Sequence, residues 1–139
     1  MVQRRPNRVT GPDHDEFWMY CDHAELRIQR CEACRHLSWP PAGACERCGS
    51  PQLAWELLSG RGRVVSWCTF ERRYYQELDV PWDTILVELD EGPLFISNPS
   101  GFTNGDVEQG LPVRVAFVDC EDDAGRFRLP VFEQAMMQE

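Results

Sequence analysis

The sequence predicts a mainly β protein: one short N-terminal helix, a metal-binding hairpin and a small closed barrel. Three observations carry that expectation. Four of the seven cysteines fall in two close pairs within one short stretch. After them, five or six short segments alternate apolar and polar residues between turn residues, the period of half-buried strands. Helical spacing shows only ahead of the cysteines. At 139 residues the chain can build one modest core, or two small units sharing one.

Met1 to Thr10 carries Arg4, Arg5 and Arg8 and no hydrophobic stretch follows, so it reads as a frayed tail and not as a secretory signal. No apolar run approaches the roughly 18–20 residues that span a bilayer. A cytoplasmic location is therefore expected. Asp13 offers a helix cap, with Glu16 three positions on reaching back to its N–H. Phe17, Tyr20, Cys21 and Ala24 then recur at helical spacing. Trp18 lies off that stripe, where it could dock onto its own domain or onto another protein. Residues 1–25 thus form a tail and an amphipathic helix, and Leu26, Ile28 and Arg30 alternate like a short strand.

Residues 26–52 hold the spacing Cys31-x₂-Cys34-x₁₀-Cys45-x₂-Cys48. Each C-x-x-C turn can bring two sulfurs to one ion at about 2.3 Å, and two such turns complete a tetrahedron. Ten intervening residues suffice for a hairpin that returns the second turn to the first. Gly49 follows Cys48 where a residue without Cβ lets backbone amides approach the thiolates. Arg35 stands at the matching place after Cys34, so that turn is less ideal, although its charge could offset the thiolates. One structural Zn²⁺ is the expected occupant. Iron in a rubredoxin-like site or a redox-active dithiol are the alternatives. Four protein thiolates leave no position for water or substrate, which argues against hydrolysis. His36 is expected in a polar role outside the ligand set.

The barrel is expected over residues 53–135. Leu53 to Leu58 reads as its first strand, and Ser59-Gly60-Arg61-Gly62 turns the chain. Arg63 to Phe70 follows, with Val65 and Trp67 on one side and Val64 and Cys68 on the other. Ile85, Val87 and Leu89 point inward from the next strand, and Glu91-Gly92-Pro93 turns into Leu94 to Ser97. Val113, Val115 and Phe117, then Phe127, Leu129 and Val131, mark the last two strands, with Glu121-Asp122-Asp123 between them as a solvated loop. Cys68 and Cys120 sit in apolar runs and are expected as small core residues.

Charge argues against one class of partner. All 14 basic residues are arginine, and the net charge is −9. Up to Arg63 nine arginines face eight acidic residues; beyond it five face 15, a net of −10. A sequence-independent nucleic-acid binder needs the opposite sign, because phosphate neutralisation supplies its affinity. No Ser/His or Cys/His pairing, P-loop or dinucleotide fingerprint stands out. The segment from Glu71 to Asp83 is different. It joins two strands and carries Tyr74, Tyr75 and Trp82 with Arg72 and Arg73, the make-up of a contact surface. The plainer reading has Tyr74 and Trp82 covering the open end of the barrel.

The order of these features resembles a known family. Asp13-x₃-Phe17-Trp18 is followed by Leu26-x-Ile28-Gln29-x-Cys31-x₂-Cys34, then by Pro40-Pro41 and Cys45-x₂-Cys48-Gly49-Ser50. Trp55, Ser59-Gly60-x-Gly62, Pro81-Trp82, Glu91-Gly92-Pro93, Ser97-Asn98 and Gly110-x-Pro112-Val113-x-Val115-x-Phe117 complete the pattern. It resembles, from about Asp13 to Phe132, the zinc-ribbon plus OB-fold family known as domain of unknown function thirty-five. Two departures are Arg35, where glycine is usual, and Trp82, where tyrosine is commoner. The resemblance implies a rubredoxin-like zinc ribbon followed by an OB-fold barrel. It also implies a non-catalytic accessory subunit that binds a thiolase-superfamily partner, either a thiolase or a lipid-transfer-protein-like aldolase of steroid side chains. In the aldolase case the domain is also found fused to, or cut from, a hydratase subunit. Phe17, Trp18, Tyr74, Tyr75 and Trp82 are the residues expected to contact the partner or acyl-CoA at a shared interface. The alternative is an OB barrel that stacks single-stranded nucleic acid on its aromatics, against which the acidic barrel counts. A stand-alone enzyme or thiol carrier is the third reading.

Overall fold

The structure, a computed structural model, describes residues 2–135. A two-residue strand β1 (Gln3–Arg4) precedes helix α1 (Asp15–Asp22). Three short strands follow: β2 (Arg27–Cys31), β3 (Leu37–Ser38) and β4 (Leu53–Leu57). The rest is β5 (Arg61–Phe70), β6 (Trp82–Leu89), β7 (Leu94–Ser97), a 3₁₀ turn at Asn104–Asp106, β8 (Leu111–Asp122) and β9 (Gly125–Gln134).

Two sheets result. In the smaller, β2 pairs antiparallel with both β3 and β4. In the larger the order is β9-β8-β5-β6-β7, with β1 parallel to the far end of β8. The large sheet curls until Phe132 of β9 meets the chain just past β7: its N–H donates to the Asn98 carbonyl at 3.1 Å, and its carbonyl accepts from Ser100 N–H at 2.8 Å. This is the mainly β, OB-type architecture expected. Leu53–Leu57, which the sequence assigns to the barrel, instead completes the ribbon sheet. Its five residues pair across β2 from Arg27 to Cys31, and Arg30 locks onto Glu56 at 2.9 and 3.0 Å.

The helix starts one residue later than the Asp13 cap suggests, with His14 at the cap position. Asp15, not Asp13, closes the entry turn, its carboxylate accepting from Gly11 N–H at 2.8 Å. Glu16 accepts the Tyr20 hydroxyl at 2.8 Å. Ala24 does not extend the apolar stripe: it sits past the helix end at φ 60°, in a turn where Glu25 N–H reaches the Tyr20 carbonyl at 3.0 Å. Eight residues are too few to hold a helix alone. Burial of Phe17 and Cys21 against the rest of the chain supplies the stability. Burial also pushes the Cys21 thiol up to about 12, which keeps it neutral.

One core spans all three parts. Trp39, which follows β3, places its ring 4.7 Å from Phe17 of α1 and 4.8 Å from Phe95 of β7. Ile28, Val64, Ile85, Val87, Leu89 and Phe132 are buried around this contact. The inward set Ile85, Val87 and Leu89 is as expected.

Strand β5 breaks the expected alternation. Val64 pairs with Val87, but Ser66 pairs with Leu86, so Val65 is an extra residue and the ladder bulges there. A bulge exchanges the two faces for everything beyond it. Trp67 therefore opposes Ile85, and Cys68 opposes Thr84 on the outward face. The expectation of Cys68 in the core is wrong for this reason; it is exposed, whereas Cys120 is fully buried.

The N-terminal tail is not frayed, and the acidic run is not a free loop. β1 pairs with Cys120 and Glu121. Arg8 donates to the Asp122 carboxylate from its backbone N–H at 3.1 Å and its Nε at 3.0 Å. Arg4 and Asn7 both bond Asp123. Asp122 is 3% exposed. Basic tail and acidic hairpin, more than a hundred residues apart, neutralise one another.

Candidate functional site

The four cysteines sit on two turns built alike. Cys31 ends β2, and its N–H donates to the His36 carbonyl at 2.8 Å; Cys45 N–H donates to Ser50 in the same way at 2.8 Å. The residue four positions on returns a bond to each cysteine carbonyl, Arg35 to Cys31 and Gly49 to Cys45, both at 2.9 Å. That closure demands a left-handed backbone, and the two residues have φ of 70° and 80°. Gly49 adopts it freely, whereas Arg35 carries the Cβ penalty.

Each turn aims two further N–H groups at sulfur. Ala33 and Cys34 donate to Cys31 Sγ at 3.3 and 3.4 Å, and Arg47 and Cys48 to Cys45 Sγ at 3.3 and 3.5 Å. The N–H groups of Cys48 and Arg47 hold the Cys45 thiol down at about 6, and that of Cys34 lowers Cys31. Thiolate is the form that ligates metal. All four Sγ atoms lie within 4.8 Å of one another, with Cys31–Cys48 at 3.6 Å and Cys34–Cys45 at 3.7 Å. Sulfurs at about 2.3 Å from a tetrahedral ion stand roughly 3.8 Å apart, so the residues fit that geometry. His36 lies outside the set, with Nε2 at 2.8 Å from Glu46. Gln29, buried on β2, grips the returning loop: its amide donates to the Ala42 carbonyl at 3.0 Å and accepts Ala42 N–H at 2.9 Å.

The five expected contact residues fall into two groups. Phe17 is 2% exposed and belongs to the core. Trp18 takes the inward option: its indole N–H donates to the Val9 carbonyl at 2.8 Å and its ring meets Phe127 edge-on at 5.4 Å. Tyr74 and Tyr75 are 67% and 55% exposed. With Trp82, Phe70, Leu78 and Val80 they line a cavity of about 450 Å³ beyond the bulge. Arg73 staples this loop to Asp79 at 3.0 Å, while Arg72 faces the cavity.

Sequence reasoning missed Leu94 and Ile96. Both alternate outward from β7 and are exposed, Ile96 by 70%. Ile96 pairs with Leu86, and Phe70 with Trp82, so the outward face of β5, β6 and β7 carries exposed apolar side chains between the polar positions Arg63, Ser66, Thr84 and Glu88. The clue was there in Leu94 and Ile96 flanking Phe95 with no polar partner position between them.

Comparison with known proteins agrees with this geometry. The model of the ChsH2 rubredoxin-like zinc ribbon domain matches residues 18–54, and that of the ChsH2 C-terminal OB-fold domain matches residues 55–118. A probable enoyl-CoA hydratase alpha subunit of Thermomonospora curvata is 31% identical over 97% of this chain and 41% of its own length. A 3-oxo-4,17-pregnadiene-20-carboxyl-CoA hydratase alpha subunit of Mycobacterium tuberculosis is 34% identical over 76% of this chain and 34% of its own. The chain thus spans well under half the length of these two relatives. A chain in the solved structure of an Ltp2-ChsH2(DUF35) aldolase superposes with a TM-score of 0.81 at 29% identity, covering 94% of this chain and all of the other. With its four-cysteine ribbon set against a curled OB sheet, the chain belongs to the ChsH2-type zinc-ribbon and OB-fold family, the DUF35 family.

Proposed function

We propose that this chain is a non-catalytic accessory subunit or domain that binds a thiolase-superfamily partner and supports its acyl-CoA chemistry. The observation that carries the reading is the cluster of exposed Phe70, Tyr74 and Tyr75 around one cavity, with Leu94 and Ile96 also exposed on β7. A cluster of large exposed apolar side chains of this kind is characteristic of a protein contact. The partner we favour is a thiolase or a steroid side-chain aldolase, in keeping with the aldolase in which a similar chain is found and with the CoA-thioester relatives. Tyr74, Tyr75 and Trp82 form the contact in this reading, with acyl-CoA at the shared interface. Trp18 and Phe17 brace it from within.

Cys31, Cys34, Cys45 and Cys48 hold one Zn²⁺ in this proposal. The ion supplies cross-linking that some 20 residues of ribbon cannot obtain from a hydrophobic core. Its shell is filled by thiolates, so turnover rests with the partner. No helix among the described residues is long and apolar enough to cross a membrane, in keeping with a cytoplasmic assembly.

Co-expression with candidate thiolase-superfamily subunits, followed by size-exclusion chromatography, tests the reading. A stable complex is expected, lost in Tyr74→Ser/Tyr75→Ser while the variant keeps its own circular dichroism. Thioester turnover by the purified chain alone would sink the accessory role, and so would a complex indifferent to the double substitution.

A further inference from the structure

Three arginines of the N-terminal tail share one short segment, but only two have anions. Arg4 is bonded to Asp123 and Arg8 to Asp122. Arg5 lies between them and faces the other way. Its guanidinium sits over the Trp82 ring, 5.2 Å from the centroid, and has no ion pair or side-chain hydrogen bond among the described residues. A guanidinium stacked on a ring keeps its five N–H donors in its own plane, free for an anion. Burial pulls its pKa below the ordinary arginine value, and leaving such a charge unpaired is costly.

Arg5 borders two adjoining cavities of about 400 and 200 Å³. The larger contains no acidic residue, and its walls are mostly apolar, with Val9, Trp18, Trp39, Phe95 and Leu129 among them. The smaller contains one carboxylate, Asp83, whose oxygens already accept from the Thr69 hydroxyl at 2.8 Å and Asn104 N–H at 2.9 Å. A cavity of this size, apolar with a single fixed cation at its rim, suits a small amphipathic ligand. The charge count favours a monoanion: one guanidinium matches one planar carboxylate in bidentate fashion, and no second arginine is present for a phosphate dianion.

We propose that Arg5 and the apolar cavity between tail, ribbon and barrel form a binding site for a small amphipathic carboxylate, its chain against Trp18 and Trp39 and its headgroup on the guanidinium. The site shares Trp82 with the aromatic-loop cavity assigned above to the partner, and the two lie on either side of that residue.

Octanoate is the probe, with 1-octanol as its neutral counterpart, added to the full-length chain and followed by calorimetry and tryptophan fluorescence. Octanoate is expected to bind at least about tenfold more tightly than octanol, since charge-assisted hydrogen bonds are worth that much. Arg5→Met should lose at least tenfold for octanoate and little for octanol, while Arg5→Lys should retain part of the difference. If Arg5→Met fails to fold, the octanoate-to-octanol ratio in the unmodified chain decides. Absence of octanoate binding, or a ratio near one, overturns the proposal.

Discussion

The indole of Trp39 meets the Phe95 ring at 4.8 Å with the planes tilted 35°, and this contact joins the ribbon to the barrel. On its other side the same indole touches Phe17. Trp39→Ala should therefore cost about 3 kcal/mol, the lower end for aromatic truncation because Trp39 is only partly buried. Urea unfolding should show both the lower midpoint and a broader transition, as ribbon and barrel lose their common core.

Removal of metal should act first on the ribbon and, through the core that ribbon and barrel share, on the partner contact. Chelation, or Cys45→Ser, is expected to unfold residues around β2 and β3 and abolish complex formation while part of the barrel persists. Backbone NMR with metal analysis would show this as loss of ribbon resonances beside surviving β8 and β9 signals. Intact partner binding in the metal-free chain would contradict it.

The buried pair Arg8–Asp122 gives the tail a pH dependence. Burial pushes the Asp122 carboxyl up, but the N–H groups of Arg8 and Ala124 and the Arg8 guanidinium outweigh it, so the net pKa lies below the ordinary value. A depressed carboxylate contributes stability above its unfolded pKa of about 3.9, and that contribution is lost as pH falls through the lower folded value. Hydrogen exchange should show β1 protected at neutral pH and released below about pH 4. Asp122→Asn, which strands Arg8, should cost about 3 kcal/mol at neutral pH.

Arg35 occupies a left-handed position that its counterpart Gly49 fills without strain. Arg35→Gly should stabilise the metal-loaded ribbon by about 0.5 kcal/mol, the relief of Cβ strain less the entropy a glycine adds to the unfolded chain. Gly49→Ala should move in the other direction by about 1 kcal/mol. Thermal melts of the two variants, read against the parent, would settle the pair of signs.

How much of this was legible follows from the range of the interactions. The metal site was readable because each thiol pair is set by three consecutive bonds of local geometry, Cys31 to Cys34 and Cys45 to Cys48. The inward set of β6 was readable because no irregularity interrupts Ile85, Val87 and Leu89. Cys68 was misplaced because the bulge at Val65 has no signature in the stretch Val64-Val65-Ser66-Trp67-Cys68. The tail and the acidic run each looked solvated alone; only the fold brings Arg8 to Asp122 across 114 positions. β4 alternates as a barrel strand would, and only its pairing with β2 assigns it to the ribbon.

The extra residue at Val65 separates two roles within one hairpin. Below it, the inward side chains Val64, Val87 and Leu89 are packed into the core, where a change of size disturbs neighbours on every side. Above it, the same two strands run on to carry Phe70 and the exposed tyrosine loop. A single inserted amino acid thus sets an exposed aromatic overhang on a buried wall within one hairpin.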